Sequence, residues 1–342
     1  MRADADPALD ALFLPFDDGR LGWVAARTAF LHARDGAALR MRDTAGLVCQ
    51  QGFKPAFDAL QRGGLDVDAG LDDARRFDTV LLLPPRQRIE ARAAFARAIA
   101  LLAPGGRVVV AARNDEGARS VQSDLECLAG PVAVSSKHKC RVMVTAPLDG
   151  AVDGELATRW RDADVPLEIA GTGLHSRPGV FAWDRIDPAS QLLVDHLPRD
   201  LRGTVADLGA GWGFLSHRVL ASNPGVTRLD AYEADHRAVD LASQNLRDPR
   251  VTVHWHDVTA GIDARFDAIV CNPPFHAQAG GARVDIGRRF IEVARDALNP
   301  RGRLWLVANR HLAYEEVLGA KFPSVRIVAQ AHGFKIIEAA RT

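Results

Sequence analysis

Cysteine is scarce in this chain. Cys49, Cys127, Cys140 and Cys271 are scattered through 342 residues with no Cys-x-x-Cys among them. Such spacing builds neither a zinc site nor a disulfide framework, so no metal is expected. Long apolar runs are also missing: none reaches the ~18 to 20 residues that span a bilayer, which excludes a membrane helix. The opening residues, Met1-Arg2-Ala3-Asp4-Ala5-Asp6-Pro7, are acidic and lack the apolar stretch of a secretory signal. A cytoplasmic protein is therefore expected. Net charge is absent too, with 43 basic against 43 acidic side chains, which argues against a surface that grips nucleic acid everywhere. What remains is a globular composition, 47% hydrophobic and 25% charged, in a chain long enough for two domains of similar size.

The charge balance is uneven locally. Arg86 to Arg141 holds ten Lys/Arg against five Asp/Glu, whereas Arg2 to Asp78 holds ten against thirteen. Arg86, Arg88, Lys137, Lys139 and Arg141 are thus candidate phosphate contacts. The plain alternative is a set of solvated helix faces.

The second half reads as strands alternating with helices. Thr204 to Leu208, Thr227 to Glu233, Val251 to His256, Phe266 to Cys271 and Arg303 to Ala308 are apolar enough for strands, with helices expected over 214–221, 235–246 and 284–298. That alternation means a parallel sheet covered on both faces. Val325 to Ala329 and Phe334 to Ala339 follow with no room for a helix between them, hence an antiparallel hairpin at the edge. The first half repeats this ending. Phe77-Asp78-Thr79-Val80-Leu81-Leu82-Leu83-Pro84-Pro85 aligns with Phe266-Asp267-Ala268-Ile269-Val270-Cys271-Asn272-Pro273-Pro274, Pro104 with Pro300, and His138 with His332, at nearly constant offset. The expected fold class is α/β, with two tandem Rossmann-like domains over 1–150 and 151–342. Each is a seven-stranded, mostly parallel sheet with a C-terminal antiparallel hairpin. The first is degenerate, because Leu83 stands where Asn272 stands, Arg86 replaces Phe275, and no comparable glycine turn precedes Phe77.

That glycine turn is Asp207-Leu208-Gly209-Ala210-Gly211-Trp212-Gly213. Its Gly-x-Gly-x-Gly spacing departs from the dinucleotide fingerprint. Asp207 beside it repels a pyrophosphate but attracts the ammonium of a methionine moiety, which favours S-adenosylmethionine over a bare strand-to-helix turn. Glu233 ends the next strand, where a carboxylate accepts from both ribose hydroxyls. Asp230, of opposite parity, reads as a strand-surface charge. Asp257 closes the third strand, placed either to accept from an adenine amino group, with the Val258 amide at the ring, or to cap a short turn. His254 and His256 share a strand face at metal-ligand spacing, yet no third ligand presents itself, and ordinary histidines are expected.

Asn272-Pro273-Pro274-Phe275 carries the most chemistry. Each proline fixes its own φ and pushes its predecessor out of the helical region. The strand end is then rigid, with the Asn272 side chain and the Pro273 carbonyl as acceptors converging on an –NH₂ group. Held so, the amine presents its lone pair to a methyl group on sulfur, and orientation is the main contribution. Phe275 offers a face for a flipped-out base. The plain alternative is loop punctuation. His276 follows as a candidate substrate contact, with no further role assigned.

The glycine turn and the Asn-Pro-Pro-Phe tetrapeptide resemble motifs I and IV of class I methyltransferases that modify amino nitrogens. With Pro178-Gly179-Val180-Phe181-Ala182-Trp183-Asp184-Arg185-Ile186-Asp187-Pro188-Ala189-Ser190-Gln191-Leu192-Leu193 and the duplicated halves, the chain resembles the bacterial ribosomal RNA small subunit methyltransferase C family. That resemblance implies methylation of guanine N2 in 16S ribosomal RNA by a monomer that meets the RNA or the small ribosomal subunit. It implies that Asp207, Gly209, Ala210, Gly211, Gly213, Glu233, Asp257, Val258 and Asn272 bind S-adenosylmethionine, with Phe181, Asp187 and Gln191 lining the pocket. Asn272, Pro273, Pro274 and Phe275 would hold guanine. Ala182-Trp183 stands where family members often show Ser-Arg, which removes a basic substrate contact there. Rival readings are the sister enzyme for 23S RNA, the release-factor glutamine methyltransferase, whose aromatic is typically tyrosine, and an RNA-binding scaffold that takes no cofactor.

Overall fold

The computed structural model describes residues 6–148, 152–274 and 282–341. Two compact units result, Met1–Pro166 with Arg177–Gly179, and Leu167–Ser176 with Val180–Thr342. The division falls later than residue 150. The reason is Trp160: the helix Gly154–Asp162 is polar on most sides but buries that indole in the first unit's core, where Arg92 stacks 5.1 Å from its ring.

In the first unit, β1 (Thr28–Leu31), β2 (Val48–Gln50), β3 (Asp66–Asp68), β4 (Phe77–Leu82), β5 (Leu102–Arg113), β6 (Val132–Lys137) and β7 (Cys140–Thr145) form one sheet in the order β3-β2-β1-β4-β5-β7-β6. Strand β7 runs antiparallel to both β5 and β6, and the rest is parallel.

The second unit opens with a small hairpin, β8 (Leu167–Glu168) and β9 (His175–Ser176). Its main strands are β10 (Gly203–Leu208), β11 (Val226–Glu233), β12 (Val251–Trp255), β13 (Phe266–Cys271), β14 (Leu298–Asn309), β15 (Ser324–Ala331) and β16 (Phe334–Ala340). Their order, β12-β11-β10-β13-β14-β16-β15, is the first sheet's permutation strand for strand. The repeat seen in sequence is a repeat of topology.

Continuous apolar runs form these strands because both faces of the sheet are covered. Val205, Ala268, Val270, Trp305, Val307 and Ile336 point into one core, shared with the helices Pro188–His196, Phe214–Ser222 and His236–Asn245. Ala206, Leu208, Ile269, Cys271, Leu304 and Leu306 point into the other, against Ala282–Ala297 and Glu315–Lys321. Residues one apart thus serve opposite cores, as the strand period requires. The order reverses between β10 and β13, and the carboxyl ends of these two neighbours, Leu208 and Cys271, lie side by side. A crevice at such a point is where an open α/β sheet binds ligands. Among the described residues, no helix is long and apolar enough to cross a membrane.

Candidate active site

Three backbone turns converge on that crevice. After Leu208 the chain reverses through Gly209, Gly211 and Gly213, all at positive φ (78°, 55° and 95°), and enters the helix Phe214–Ser222. The amides of Gly209 and Ala210 both donate to the Tyr232 carbonyl, at 2.9 and 3.0 Å, which ties the turn to β11. At Gly211 an added Cβ would meet nothing within 4 Å. Glycine there meets the left-handed backbone and keeps space open beside the turn.

Asp207 is fully buried under this turn. Its Oδ2 accepts from Ser216 Oγ at 2.7 Å, while Oδ1 has no partner. Burial pushes the carboxyl up to about 7, the Ser216 bond pulls the other way, and nearby Glu233 adds to the rise. Glu233 at the end of β11 folds back over the turn: Oε2 accepts from Gly211 N at 2.8 Å, and Oε1 from the amides of Ala234 and Asp235, each at 2.8 Å. Its pKa is also raised, chiefly by burial. A buried acid with an orphaned oxygen and a half-buried one, both beside a glycine cradle, are a donor set suited to a cationic ligand. That chemistry fits S-adenosylmethionine, which carries a sulfonium and an ammonium.

Asn272 closes the crevice from β13. Its Nδ2 donates to Asp187 Oδ2 at 2.9 Å and to Ser190 Oγ at 2.7 Å; its Oδ1 is buried and has no partner among the described residues. Asp187 is the N-cap of the helix Pro188–His196 and accepts from Ser190 N at 2.8 Å. The crevice is lined by Phe181, Ala182, Asp187, Ser190, Gly209, Ala210, Gly211, Trp212, Phe214, Leu215 and Asn272. Asn272 is thus one of the residues around the glycine-lined cavity, with its Nδ2 held by two others of them.

Of the residues expected at the cofactor, Phe181, Asp187, Gly209, Ala210, Gly211 and Asn272 meet in one cavity, with Asp207 and Glu233 bonded immediately behind it. Gln191 does not join them: it turns along its helix to Asp195 Oδ1 at 2.7 Å. Gly213 caps the next helix and sits under Leu246. Asp257 caps the turn Val258–Ala260, its Oδ1 accepting from Thr259 N at 2.8 Å and Thr259 Oγ1 at 2.6 Å. Asp230 corrects an expectation. It is not a surface charge but is buried and gripped by Arg228, because both faces of this sheet are covered. His254 stacks on Tyr232 at 4.6 Å, and His256 bonds the Gly261 carbonyl at 2.7 Å. Among the described residues no cluster of three metal-ligating side chains occurs. Phe275 and His276 lie outside the described residues.

Ser190, Trp212, Phe214 and Leu215 escaped sequence reasoning. The Asp187-Pro188 pair is a helix-start signal that would have placed Ser190 at the third helical position, beside the cap.

The basic segment is more paired than its composition suggests. Arg88 grips buried Asp124 with Nε and Nη2, at 2.8 and 2.9 Å, and Arg86 is bound by Glu116. Arg141 reaches Gln122 at 2.5 Å. Lys137 and Lys139 stand exposed at the β6–β7 turn. Arg119, Ser136 and Arg141 line a shallow cleft with Asn114 and Gly117.

Register maps the first unit onto the second residue by residue. Leu31 pairs with Gln50 and Leu82 as Leu208 pairs with Tyr232 and Cys271. Phe30 therefore replaces Asp207, Arg34 replaces Gly211, Gln51 replaces Glu233 and Leu83 replaces Asn272. The equivalent N-cap survives as Asp6-Pro7, but Asp6 Oδ2 is taken by Arg34 at 3.0 Å. An arginine across the crevice and a phenylalanine under it leave no cradle for a cation.

The methyltransferase small domain model matches residues 171–338. Ribosomal RNA small subunit methyltransferase C of Pectobacterium atrosepticum is 30% identical over 294 residues, covering 85% of this chain and 81% of that protein. Ribosomal RNA large subunit methyltransferase G of Pseudomonas putida is 34% identical over 272 residues, covering 77% and 71%. Among solved structures, the 16S rRNA N2 methyltransferase of T. thermophilus, in complex with AdoMet and guanosine, superimposes with a TM-score of 0.80 at 25% identity, covering 100% of this chain and 93% of that one.

Proposed function

The chain belongs to the bacterial ribosomal RNA small subunit methyltransferase C family, and we propose that it transfers a methyl group from S-adenosylmethionine to the exocyclic N2 of a guanine in 16S ribosomal RNA. The observation that carries this reading is the Asn272 carboxamide beside the glycine-lined crevice, whose buried oxygen has no partner among the described residues. A buried acceptor without a donor is costly, and an amine N–H is the partner that would satisfy it.

The cofactor supplies an electrophilic methyl group on a sulfonium. Asp207 and the glycine turn would hold its methionine end, Glu233 its ribose, and Asp257 with the Val258 amide its adenine. Glu233 keeps lone pairs beyond the backbone amides it already accepts, so the ribose role needs no rearrangement. Asn272 Oδ1 accepts from the guanine amine and turns its lone pair out of the base plane. Pro273 and Pro274 hold that acceptor still, and Phe275 and His276 would stack on or touch the base. No strong base is required, because the methylated nitrogen is acidic enough to lose its proton to water. The gain is orientation.

The first unit takes no cofactor in this reading. It supports the second and docks RNA through Lys137, Lys139 and Arg141, with Arg119 beside them. Arg86 and Arg88 were candidates for the same surface; Arg86 pairs with Glu116, and Arg88 shares the single carboxylate of Asp124 with Arg92. The protein acts as a cytoplasmic monomer on 16S RNA or the small subunit, without metal or membrane.

The Pseudomonas putida relative favours one second reading, methylation of guanine N2 in 23S RNA. Labelled S-adenosylmethionine offered with 16S RNA, 23S RNA and each subunit separates the two. Label in 16S RNA or the small subunit is expected; label confined to 23S RNA selects the second reading. Asn272→Ala is expected to keep cofactor affinity and lower turnover severely, and unchanged turnover would refute the mechanism.

A further inference from the structure

We infer that Asp187 and Ser190 are positioning residues for methyl transfer, which lock the Asn272 carboxamide so that its oxygen faces the amine. The inference rests on the reading that Asn272 receives an amino nitrogen. An asparagine side chain has two orientations of nearly equal shape, related by a half-turn, one presenting oxygen and the other –NH₂. Against a substrate amine only the first works, because the second sets donor against donor.

In this chain both Nδ2 hydrogens are already spent. One goes to Asp187 Oδ2 at 2.9 Å and the other to Ser190 Oγ at 2.7 Å. Asp187 Oδ2 already accepts from Ser190 N, so a flipped carboxamide would set its oxygen against that acceptor; Ser190 Oγ, able to donate or accept, holds whichever orientation Asp187 selects. Asp187 is itself immobilised, since the same Oδ2 caps its helix through Ser190 N at 2.8 Å. The helix Pro188–His196 thus carries two acceptors from its first turn to the end of β13.

The first unit supplies an internal control. Its helix Pro7–Leu12 starts with the same Asp-Pro-Ala, capped by Asp6. Where Asn272 became Leu83, the position of Ser190 holds Leu9, and both leucines are buried in one apolar cluster. The capping aspartate stays because the helix needs it, but the serine disappears with the asparagine. A serine kept for helix structure alone would have no reason to do so.

Asp187 also lines the cofactor cavity, and a purely cofactor-binding role is the competing explanation. The variants D187A, D187N and S190A, each alone and with N272A, decide between them. Transfer of labelled methyl to 16S RNA gives kcat and KM, calorimetry gives cofactor affinity, and urea unfolding checks folding. D187A and S190A are expected to lower kcat about ten- to a hundredfold, the cost of a misplaced acceptor, with cofactor affinity within about twofold of wild type. D187N should recover most of the D187A loss: Ser190 N holds the amide oxygen in the place of Oδ2, where it still accepts from Asn272. In the N272A background neither change should lower kcat further, since there is nothing left to position.

A substrate-free readout is exchange of the Asn272 side-chain amide protons, followed in protein labelled at asparagine and assigned with N272A. Slow exchange in wild type that S190A accelerates supports the lock. Weakened cofactor binding with kcat unchanged, additive losses in the double variants, or free exchange in wild type would each overturn it. Should wild type methylate only 23S RNA, the reading of its substrate fails while the exchange measurement still decides the lock.

Discussion

Replacing Asp207 with asparagine tests the electrostatics of the crevice most directly. The wild-type carboxyl is wholly buried, keeps one hydrogen bond from Ser216, and has its pKa raised from 3.8 to about 7, mainly by burial. For an acid raised in this way, the native state binds more protons than the unfolded state between those two values. Stability then falls as pH rises through that window and levels off above pH 7. A rise of that size corresponds to about 4 kcal/mol lost between roughly pH 4 and pH 7. The carboxamide of the D207N variant is neutral throughout, so the difference in unfolding free energy between wild type and variant should slope with pH by that order and become flat above pH 7. Urea unfolding from pH 4 to pH 8, read in the second unit from hydrogen exchange of the β10 amides, measures it. A cationic ligand favours the ionised carboxylate, so cofactor binding below pH 7 must also release protons. Apparent affinity should weaken about tenfold per pH unit below 7, and calorimetry in buffers of different ionisation enthalpy should show close to one proton released at pH 5. If D207N keeps the wild-type slope, or if binding at pH 5 moves no proton, the buried acid does not serve a cation.

Other tests are simpler. Calorimetry should find one S-adenosylmethionine per chain, and Leu83→Asn should leave it at one, because Phe30 still stands in place of the buried acid and Arg34 still holds Asp6; a second equivalent would refute that reading. Reversing the charges of Lys137, Lys139 and Arg141 should weaken RNA binding and flatten its salt dependence by about 0.7 to 0.9 log units per lost phosphate contact, while cofactor affinity stays unchanged. An unaltered salt slope places the docking surface elsewhere. Gly287→Ala should destabilise the chain although alanine is worth about 1 kcal/mol more in a helix. Its Cβ would lie 1.8 Å from the Tyr314 hydroxyl oxygen, on a fully buried side chain, and overpacking costs about 1 to 3 kcal/mol. Adding Tyr314→Phe should restore part of the urea midpoint, and a stabilised Gly287→Ala would refute the clash.

The sheet was legible in sequence because a strand covered on both faces is written as an uninterrupted apolar run. Val80 to Leu83 and Ala268 to Cys271 need no tertiary knowledge to be read. The same double coverage defeated the parity argument at Asp230: when both faces are buried, opposite parity means the other core and not the solvent. The division into units falls past residue 150 for a related reason, since the helix Gly154–Asp162 declares its allegiance through Trp160 alone. Gln191 and the basic residues find partners that sequence does not name. Gln191 finds Asp195 one helical turn away, and Arg88 finds Asp124 across 36 positions, pairings that composition cannot anticipate. The lock on Asn272 joins residues 82 and 85 positions apart; only its Asp-Pro start signal was local.

The two copies together separate what the fold requires from what the chemistry requires. Strand order, the capping Asp-Pro at the start of the helix and the proline pair after the fourth strand survive in both. These are backbone devices, and each serves packing or chain direction wherever the sheet is built. Lost from the first copy are a buried acid, a glycine open to a ligand, a carboxylate over the turn, and an amide with its serine. All of these are costly in a ligand-free fold: an under-partnered carboxylate, an empty cradle, an orphaned acceptor. Phe30, Arg34, Gln51, Leu83 and Leu9 remove those costs one by one, and Arg34 even gives the surviving capping aspartate a cation of its own. The second copy retains the costs, with Asp207 Oδ1 and Asn272 Oδ1 still unpartnered in its core. Groups that destabilise a fold persist where a bound ligand offsets them, and their disappearance from the copy proposed to bind none is what that reasoning demands.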